Sequence, residues 1–593
     1  MPEPLAQSAH PTAAISTATA NEAANEAANE AATDSARPWL AHYPKGIAWN
    51  QSFAPMPLHM LFEEAAGRYA DRPCLDFLGR RYTYAEVLAL VNRAARGFQD
   101  LGVGPGVRVG LCLPNCPTYV ISYFAVLKAG GTVVNYNPLY AERELEHQIT
   151  DSQTEIMVTL DLKQIYPRVA AMLDRTPLKR IVVCRMPTIL PAVKSALFRV
   201  LKRSEIAAVP RDGRHIDFDG LLANDGALRP VRIDGLRDIA VLQYTGGTTG
   251  VPKGAMLTHH NLLSNARQVQ AWFPTVALGQ ERMLAVLPFF HVFAMTVVLN
   301  MGLACGAELI MLPRFDTEQV LKTIARRKPT LVPGVPTMYK ALLGHPQVAR
   351  YPMTSIRYCI SGGAPLPMEL KRQFESATGC VLIEGYGLSE ASPVCAANPL
   401  NGVNKEGSIG LPLPCITIEI RDLEDPARKL GIGEKGQVAI AGPNVMAGYW
   451  GRAEESERTV VDGFLLTGDI GTMDEDGYVF LLDRLKDLII CSGYNVYPRM
   501  IEEAIYQHPD VIAACVIGLP DDYRGQTPKA FVQLKPGATL TAEALRDFLR
   551  DKISRIEMPT AIEFRAELPK TAVGKLSKKE LIAEAQQALT NGG

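Results

Sequence analysis

Short apolar runs alternate with stretches of helical periodicity from about residue 43 to residue 482. A short continuous apolar run predicts a buried strand, whereas apolar residues three and four positions apart predict a helix. The clearest predicted strands are residues 107–113, 156–160, 181–184, 239–243 and 357–360. Strands that alternate with helices in this way indicate an α/β fold with mostly parallel sheets.

The pattern changes twice towards the C-terminus. Residues 407–448 hold predicted strands at 416–420 and 437–441 between turn-rich segments, which indicates a small β-unit. The last 110 residues predict a separate α+β unit with helices at 500–507 and 542–552 and strands at 513–518 and 530–535. The charged run at 483–487 joins this unit to the rest and is the candidate hinge.

These patterns predict an α/β protein with a large N-terminal domain of layered α/β subdomains, which includes the small β-unit, at 43–483. A small mobile α+β domain follows at 484–593. Residues 1–42 hold three copies of the unit Asn-Glu-Ala-Ala, and residues 1–36 lack Lys and Arg. This composition predicts a disordered low-complexity tail rather than a signal or transit peptide.

Residues 283–307 carry no formally charged side chain and are numerous enough to cross a bilayer. They also contain Pro288, His291 and Asn300, which favours a buried strand, a loop and a buried helix in series. An integral membrane transporter that uses this segment is the alternative.

Residues 187–203 have the periodicity of a basic amphipathic helix. The apolar positions are Leu190, Val193, Leu197, Val200 and Leu201, and the basic positions are Lys194, Arg199, Lys202 and Arg203. Such a helix can lie on an anionic membrane surface, while an ordinary surface helix is the simpler interpretation.

Composition places the chain among ordinary globular proteins, with 47% hydrophobic and 21% charged residues in 593. The 61 Lys and Arg residues nearly balance the 62 Asp and Glu residues, so the formal charge is 61 − 62 = −1. This excludes a generally basic nucleic-acid binder. Eleven scattered cysteines without a Cys-x-x-Cys motif favour the reducing cytoplasm.

The strongest chemical signal is residues 244–254, which follow the predicted strand 239–243. Three glycines and three threonines lie within residues 245–250, and Lys253 follows. Glycines let backbone N–H groups approach an anion, threonines add hydroxyl donors, and the lysine adds a positive charge. Because a second strand is predicted at 255–257, we expect a hairpin-like clamp over phosphates rather than a P-loop.

Three weaker motifs follow. In residues 384–390, two glycines flank Tyr386, whose face can stack on a base, and Glu390 is an oxygen ligand suited to Mg²⁺. In residues 467–469, the carboxylate of Asp469 can accept hydrogen bonds from both ribose hydroxyls. In residues 568–575, a glycine before Lys575 suggests a loop that delivers an ammonium group.

The chain resembles the acyl-adenylate-forming superfamily, which includes acyl-CoA synthetases, 4-coumarate–CoA ligases, luciferases and peptide-synthetase adenylation domains. The motifs above occur along the chain in the order that is typical of this superfamily. The resemblance runs from about residue 44 to residue 588 and also includes residues 287–291, 362–364, 407–410 and 483–487. Residues 135–139, 143–147 and 492–498 resemble bacterial long-chain fatty-acid–CoA ligases most closely.

The resemblance implies that a fatty acid is activated by ATP and Mg²⁺ to acyl-AMP and then joined to coenzyme A. It implies that the ATP phosphates are held by Thr245, Gly246, Gly247, Thr248, Thr249, Gly250 and Lys253. It implies that AMP is bound by Gly362, Gly363, Ala364, Glu384, Gly385, Tyr386, Gly387, Ser389, Asp469 and Arg484.

The remaining implied roles concern the metal, the reacting groups and the second domain. Thr248 and Glu390 would bind Mg²⁺, and His291 would lie between the nucleotide and the acyl pocket. Lys486 would be the hinge and Lys575 the adenylation lysine. The coenzyme A channel would include Ser492, Gly493 and Tyr494.

The chain departs from the family pattern at three positions. Ser389 replaces a more usual threonine and keeps the hydroxyl group. Ile490 stands where some relatives carry a second lysine, and Met295 lies near a position that is aromatic in some long-chain enzymes. The gating of the acyl tunnel is therefore left open.

Several alternatives stay open at this point. The chain could be a medium-chain or aryl acyl-CoA ligase, or an acyl-AMP ligase that serves a carrier protein. A nucleotide- or lipid-binding protein without turnover is disfavoured by Lys253, Glu390, Asp469 and Lys575. We expect a cytoplasmic enzyme, with membrane contact through 187–203 and a homodimer as open alternatives.

Overall fold

The computed structural model describes residues 37–245, 252–521, 523–570 and 576–591, and it has the predicted α/β architecture. A seven-stranded sheet forms one layer of the large N-terminal domain, with parallel pairing except at its last strand. Its strands in spatial order are His215–Asp217, Arg180–Cys184, Ile156–Leu160, Arg108–Cys112, Thr132–Asn135, Ile239–Thr245 and Lys253–Thr258.

Two four-stranded sheets form the second layer, and bridges of Leu331 to Met283 and to Tyr358 join them. The first contains Arg282–Ala285, Glu308–Met311, Pro73–Phe77 and Arg80–Thr83, in that order. The second contains Tyr358–Gly362, Val381–Gly387, Val394–Ala397 and Leu411–Pro412.

Buried helices lie between and around these sheets. Thr83 begins one of them with a capping box, in which its hydroxyl accepts from the Glu86 N–H and the Glu86 carboxylate accepts from the Thr83 N–H. Pro117–Lys128 is buried along nearly its whole length because it lies in the core, where Phe124 stacks on Phe62.

The α-helices of this domain vary widely in length. They are His59–Arg68, Tyr84–Asp100, Pro117–Lys128, Glu142–Ser152, Tyr166–Ala170, Ala192–Leu201, Phe218–Leu221, His259–Trp272, Met301–Ala304, Thr317–Arg327, Pro336–Leu343, Met368–Thr378 and Ala453–Thr459. The predicted small β-unit is a five-stranded antiparallel sheet of Thr417–Arg421, Gly436–Ala441, Phe464–Met473, Val460–Val461 and Val479–Arg484.

The small C-terminal domain follows the one-turn helix Leu485–Asp487 and has its own sheet and core. Its strands are Tyr494–Val496, Ile489–Cys491, Gly525–Leu534, Val511–Asp521 and Ala561–Arg565. Its helices are Pro498–Tyr506, Ala542–Leu549 and Lys578–Asn591.

The uncharged segment 283–307 is a strand, a loop and buried helical turns, as the sequence predicts. The strand is Arg282–Ala285, and the turns are a π-helix at Ala294–Asn300 followed by Met301–Ala304. Within the described ranges, no helix is both long and apolar enough to cross a membrane.

The prediction of a disordered tail at residues 1–42 is wrong for the last six of these residues. Residues 37–42 belong to the folded domain, because Pro38–His42 forms a short 3₁₀ helix and the Trp39 side chain is buried. The Arg37 guanidinium lies 4.0 Å from the ring centroid of Trp49, which adds a cation–π contact. Residues 1–36 lie outside the described part.

Candidate active site

The glycine- and threonine-rich loop is carried by a β-hairpin, as the sequence predicts. Ile239–Thr245 pairs antiparallel with Lys253–Thr258, and Thr245 lies opposite Lys253 at the end next to the loop. Residues 246–251, which include Gly246, Gly247, Thr248, Thr249 and Gly250, lie outside the described residues. The hairpin therefore fixes both ends of this loop.

Lys253 and Glu390 converge on one aromatic side chain, Tyr449. The Lys253 ammonium forms an ion pair with Glu455 and lies 5.1 Å from the Tyr449 ring centroid. The Tyr449 hydroxyl donates a hydrogen bond of 2.9 Å to Glu390 Oε1. Burial and the Glu390 carboxylate raise the pKa of Tyr449, so its proton stays in this bond.

The turn that positions Glu390 depends on a close approach of two backbone segments. Glu390 lies in the one-turn helix Ser389–Ala391, directly after the strand Val381–Gly387. A Cβ atom at Gly387 would collide with the Pro393 carbonyl oxygen, so only glycine fits there. The Met446 N–H also donates to the Glu390 carbonyl oxygen at 2.8 Å, which ties this turn to the segment before Tyr449.

A second cluster joins Tyr386, Asp469 and Arg484. The Tyr386 hydroxyl donates to Asp469 Oδ2 at 2.5 Å, and Arg484 Nε lies 3.0 Å from Asp469 Oδ1. Asp469 and Arg484 face each other on neighbouring strands, and Asp469 is buried. The Asp469 carboxylate raises the pKa of Arg484, while burial and the same carboxylate raise that of Tyr386. The cluster therefore holds the Asp469 carboxylate in a fixed position, where it can accept further hydrogen bonds.

His291 and the glycines of residues 362–363 line one narrow, mostly apolar cavity. The other lining residues are Leu287, Pro288, Phe293, Ala294 and Val335. A Cβ atom at Gly362 would lie 3.2 Å from the Phe293 ring, and Gly363 has a φ of 79°, so glycine suits both positions. Gly362 pairs with Gly385 across the sheet, and Ala364 follows directly after Gly363.

Next to the cavity residue Ala294, Met295 belongs to the hydrophobic core and contacts one polar side chain, that of Asn135. Asn135 Nδ2 lies 3.3 Å from Met295 Sδ and 3.0 Å from Gln243 Oε1, and Gln243 donates to the Phe290 carbonyl oxygen. Met295 is fully buried in the π-helical segment. The Met295 N–H donates to the His291 carbonyl oxygen at 3.0 Å, so Met295 lies one helical turn after His291.

Glu384 lies where the two domains meet. Burial raises its pKa to about 7, and the Arg499 guanidinium of the C-terminal domain acts in the opposite direction. The backbone N–H of Arg499 donates to Asp483 Oδ2 at 2.8 Å. The first helix of the C-terminal domain, Pro498–Tyr506, is therefore held against the strand Val479–Arg484.

The candidate hinge lies beside this contact. Burial and the Arg484 cation lower the pKa of Lys486. Lys578, in the last helix, pairs with Glu502 at 3.1 Å. Although burial opposes its charge, the carboxylates of Glu502 and Asp483 raise the pKa of Lys578.

Lys575 lies outside the described residues, but both ends of its loop are described. Lys570 bridges to Leu576, and the Ser577 N–H donates to the Pro569 carbonyl oxygen at 2.8 Å. Burial lowers the pKa of Lys340, and Lys535 and Lys570 add to this shift. Lys340 Nζ donates to the Ile512 carbonyl oxygen, so the C-terminal domain contacts the helix Pro336–Leu343, which directly follows the cavity residue Val335.

Ser492 and Gly493 form the turn of a hairpin between Ile489–Cys491 and Tyr494–Val496, and Tyr494 begins the second strand. Ser492 and Gly493 both have positive φ, as a tight hairpin turn requires. The side chains of Ile490 and Tyr494 are exposed. In this structure the predicted coenzyme A-facing residues point to solvent.

Sequence reasoning did not identify Tyr449, Glu455, Arg499 or Lys578. Tyr449 lies in the sequence Gly-Tyr-Trp, and a glycine before two aromatic residues is the only local signal for it. The other three are ordinary charged residues whose partners are distant in sequence. Their positions become clear only when the β-unit and the C-terminal domain are folded against the sheets.

Residues 62–450 match the AMP-binding enzyme family, and residues 500–575 match the AMP-binding enzyme C-terminal domain. The chain therefore belongs to the AMP-binding enzyme family. The long-chain-fatty-acid–CoA ligase of Bacillus subtilis is 43% identical over 93% of this chain and 98% of its own length. The enzyme of the same name from Yersinia pestis is 38% identical over 92% and 97% of the two chains.

A solved structure, that of ATP-bound MatB from Rhodopseudomonas palustris, has the same fold. It superposes with a TM-score of 0.78 at 30% identity and covers 90% of this chain and 99% of that chain. The likeness therefore extends over both domains.

Proposed function

We propose that this protein is a long-chain fatty-acid–CoA ligase that uses ATP and releases AMP. The observation that carries the proposal is the convergence of Lys253 and Glu390 on Tyr449, together with the Tyr386–Asp469–Arg484 cluster, whose Tyr386 lies four residues before Glu390. The curated relatives of that name match nearly the whole chain and support the substrate class.

The phosphates of ATP bind at the hairpin loop of Thr245, Gly246, Gly247, Thr248, Thr249 and Gly250, beside Lys253. Asp469 accepts hydrogen bonds from the ribose hydroxyls, and Arg484 holds that carboxylate in place. The residues that line the adenine are Gly362, Gly363, Ala364, Glu384, Gly385 and Tyr386, and Gly387 and Ser389 also bind AMP. A guanidinium and a tyrosine hydroxyl on one buried carboxylate support this assignment, because they hold it in a fixed orientation.

The residues near the phosphate loop fit Mg²⁺. Among the described residues, no group of three or more His, Cys, Asp or Glu side chains could hold a metal ion. Mg²⁺ is usually bound through one or two carboxylates together with substrate phosphates, so the single carboxylate of Glu390 with Thr248 suits it. When bound, the ion would neutralise phosphate charge.

In the first step, a fatty-acid carboxylate oxygen attacks the α-phosphorus of ATP, a new P–O bond forms, and pyrophosphate leaves. Two anions must meet, so positive charge has to screen them. Lys575 bridges the carboxylate and the α-phosphate, while His291 lies between the nucleotide and the acyl pocket. Such reactions depend mainly on positioning and charge stabilisation.

In the second step, the coenzyme A thiol attacks the acyl carbonyl and AMP leaves. The small domain turns about Lys486, with the domain boundary between residues 483 and 484, so Lys575 withdraws and Ser492, Gly493 and Tyr494 face the coenzyme A channel. The contact of Lys340 with Ile512 of the C-terminal domain and the exposed hairpin support the view that the structure represents the adenylating arrangement.

The experiment that tests this function measures pyrophosphate release from ATP across fatty acids of increasing length, with and without coenzyme A. Turnover that peaks with long chains and yields acyl-CoA supports the ligase. Pyrophosphate release that forms no acyl-CoA points to an acyl-AMP ligase with a carrier partner. Preference for medium-chain or aromatic acids would keep the mechanism and overturn the substrate assignment.

Cytoplasmic location and a homodimer stay predictions. Fractionation of cells would test the first, and sedimentation of the purified protein would test the second. Release of the protein from membranes by salt would support peripheral membrane contact.

A further inference from the structure

The surface helix Ala192–Leu201 turns its apolar face outwards. None of its residues is fully buried, and its four large exposed aliphatic side chains recur at helical spacing. Their exposed fractions are 73% for Val193, 52% for Leu197, 77% for Val200 and 71% for Leu201. A surface helix normally turns such a stripe towards the core, so this orientation is the reverse of the usual one.

Contacts of other residues of this segment fix that orientation. Lys194 Nζ donates to the Leu78 carbonyl oxygen at 2.7 Å, and Phe198 packs against the main core. The Arg80 guanidinium donates to the Thr188 carbonyl oxygen in the turn before the helix. The helix therefore cannot bury its apolar face by rolling without breaking these contacts.

Positive charge surrounds the apolar face. Residues 185–203 contain no Asp or Glu, and their cations are Arg185, Lys194, Arg199, Lys202 and Arg203. Arg185 pairs with Asp217 and Lys202 pairs with Glu205, so the positive charge available to a ligand is that of Lys194, Arg199 and Arg203. A cleft beside the N-terminal part of the helix is lined by Arg80 and Arg199, together with Thr188, Ser195 and apolar residues. Two guanidinium groups beside hydroxyl groups suit a phosphate ester.

We infer that Val193, Leu197, Val200 and Leu201, together with the Arg80–Arg199 cleft, form a docking surface for an anionic phospholipid bilayer. The four aliphatic side chains enter the boundary between headgroups and acyl chains, and the guanidinium groups of the cleft bind lipid phosphates. This inference goes beyond the proposed chemistry and does not depend on it.

Charge complementarity selects a bilayer over a second copy of this chain. A two-fold contact through this face would bring the same cations towards each other, which opposes association. Anionic lipids instead place negative charge opposite those cations.

Co-sedimentation of the full-length protein with vesicles tests the surface. Vesicles of phosphatidylcholine with phosphatidylglycerol should bind the protein, and added salt or removal of the anionic lipid should weaken binding. The variant V193S/L197S/V200S/L201S, called the face variant below, should bind the anionic vesicles at least about tenfold more weakly, because it lacks the side chains that enter the bilayer. The charge reversal R199E/R203E should weaken binding about tenfold or more to anionic vesicles only.

The matched control is L139S/L278S/V403S/I432S, which changes four exposed aliphatic side chains elsewhere and should bind vesicles like the unchanged protein. Acyl-CoA synthesis from albumin-bound fatty acid should be unaltered in the face variant, so failure of the surface is distinguishable from failure of the proposed reaction. Equal vesicle binding by the face variant and the control would overturn the inference, as would a face variant that binds like the unchanged protein but no longer dimerises.

Discussion

Replacement of Asp469 by asparagine separates ribose recognition from the rest of the site. In the structure, one oxygen of this buried carboxylate accepts from the Tyr386 hydroxyl at 2.5 Å and the other lies 3.0 Å from Arg484 Nε. Asparagine has nearly the same shape, but it has no charge and offers one acceptor oxygen instead of two. The substitution therefore weakens acceptance from the ribose hydroxyls while the fold is kept.

The magnitude follows from one lost hydrogen bond to a charged acceptor, which is worth about 1.5–3 kcal/mol. Since about 1.4 kcal/mol is tenfold, ATP affinity should fall about 10- to 150-fold. Equilibrium binding of ATP measures this directly, and the ATP KM in pyrophosphate release gives a second value. The same titrations with 2′-deoxy-ATP and 3′-deoxy-ATP identify the contact, because a sugar without one hydroxyl has less to lose in the variant.

The matched control is Asp474→Asn, which removes a carboxylate paired with Lys405 just beyond the same strand, Phe464–Met473. ATP affinity should not change in that control. If D469N weakened ATP and both deoxy analogues by the same factor, the loss would come from general disorder of the site, and the ribose assignment would be refuted.

Three further predictions concern the reacting lysine, the hinge and the domain contact. Lys575→Ala should slow adenylation by about 10²–10³ or more but spare thioester formation from preformed acyl-AMP; equal loss in both half-reactions would remove its assigned role. Lys486→Pro should leave adenylation largely intact and slow thioester formation, because the small domain must turn about Lys486 before the second step. Thioester formation at the unchanged rate would exclude the hinge. Burial raises the pKa of Glu384 from 4.5 to about 7, so its contribution to stability is greatest below pH 4.5 and is lost as the pH rises through 7. Glu384→Gln should therefore raise Tm relative to the unchanged protein more at pH 8 than at pH 5, and a gain that did not vary with pH would contradict the buried carboxylate.

Apolar patterning predicted most elements of the fold because buried strands and helices carry it directly. The predicted strand 156–160 is observed as Ile156–Leu160, and the predicted helix 500–507 as Pro498–Tyr506. The uncharged segment 283–307 was also predicted correctly, since its proline and polar residues interrupt a bilayer-length span. The tail prediction extended too far because composition alone does not show that Trp39 packs into the core.

Two features could not be read from the sequence. Periodicity defines the apolar face of Ala192–Leu201 but not its direction, which depends on contacts of Lys194 and Phe198 with distant segments. Likewise, Tyr449 contacts both Lys253 and Glu390, which are distant from it in the sequence, and no local pattern encodes such a meeting. Motifs predicted which groups carry the chemistry, while tertiary contacts determine which of them meet.

The most direct test of the account uses a long-chain fatty acid labelled with heavy oxygen in its carboxylate, together with ATP, Mg²⁺ and coenzyme A. Attack of the carboxylate on the α-phosphorus predicts that each turnover yields pyrophosphate, acyl-CoA and an AMP molecule that carries one labelled oxygen. Formation of ADP with labelled inorganic phosphate would mean attack on the terminal phosphorus and would contradict an acyl-adenylate intermediate.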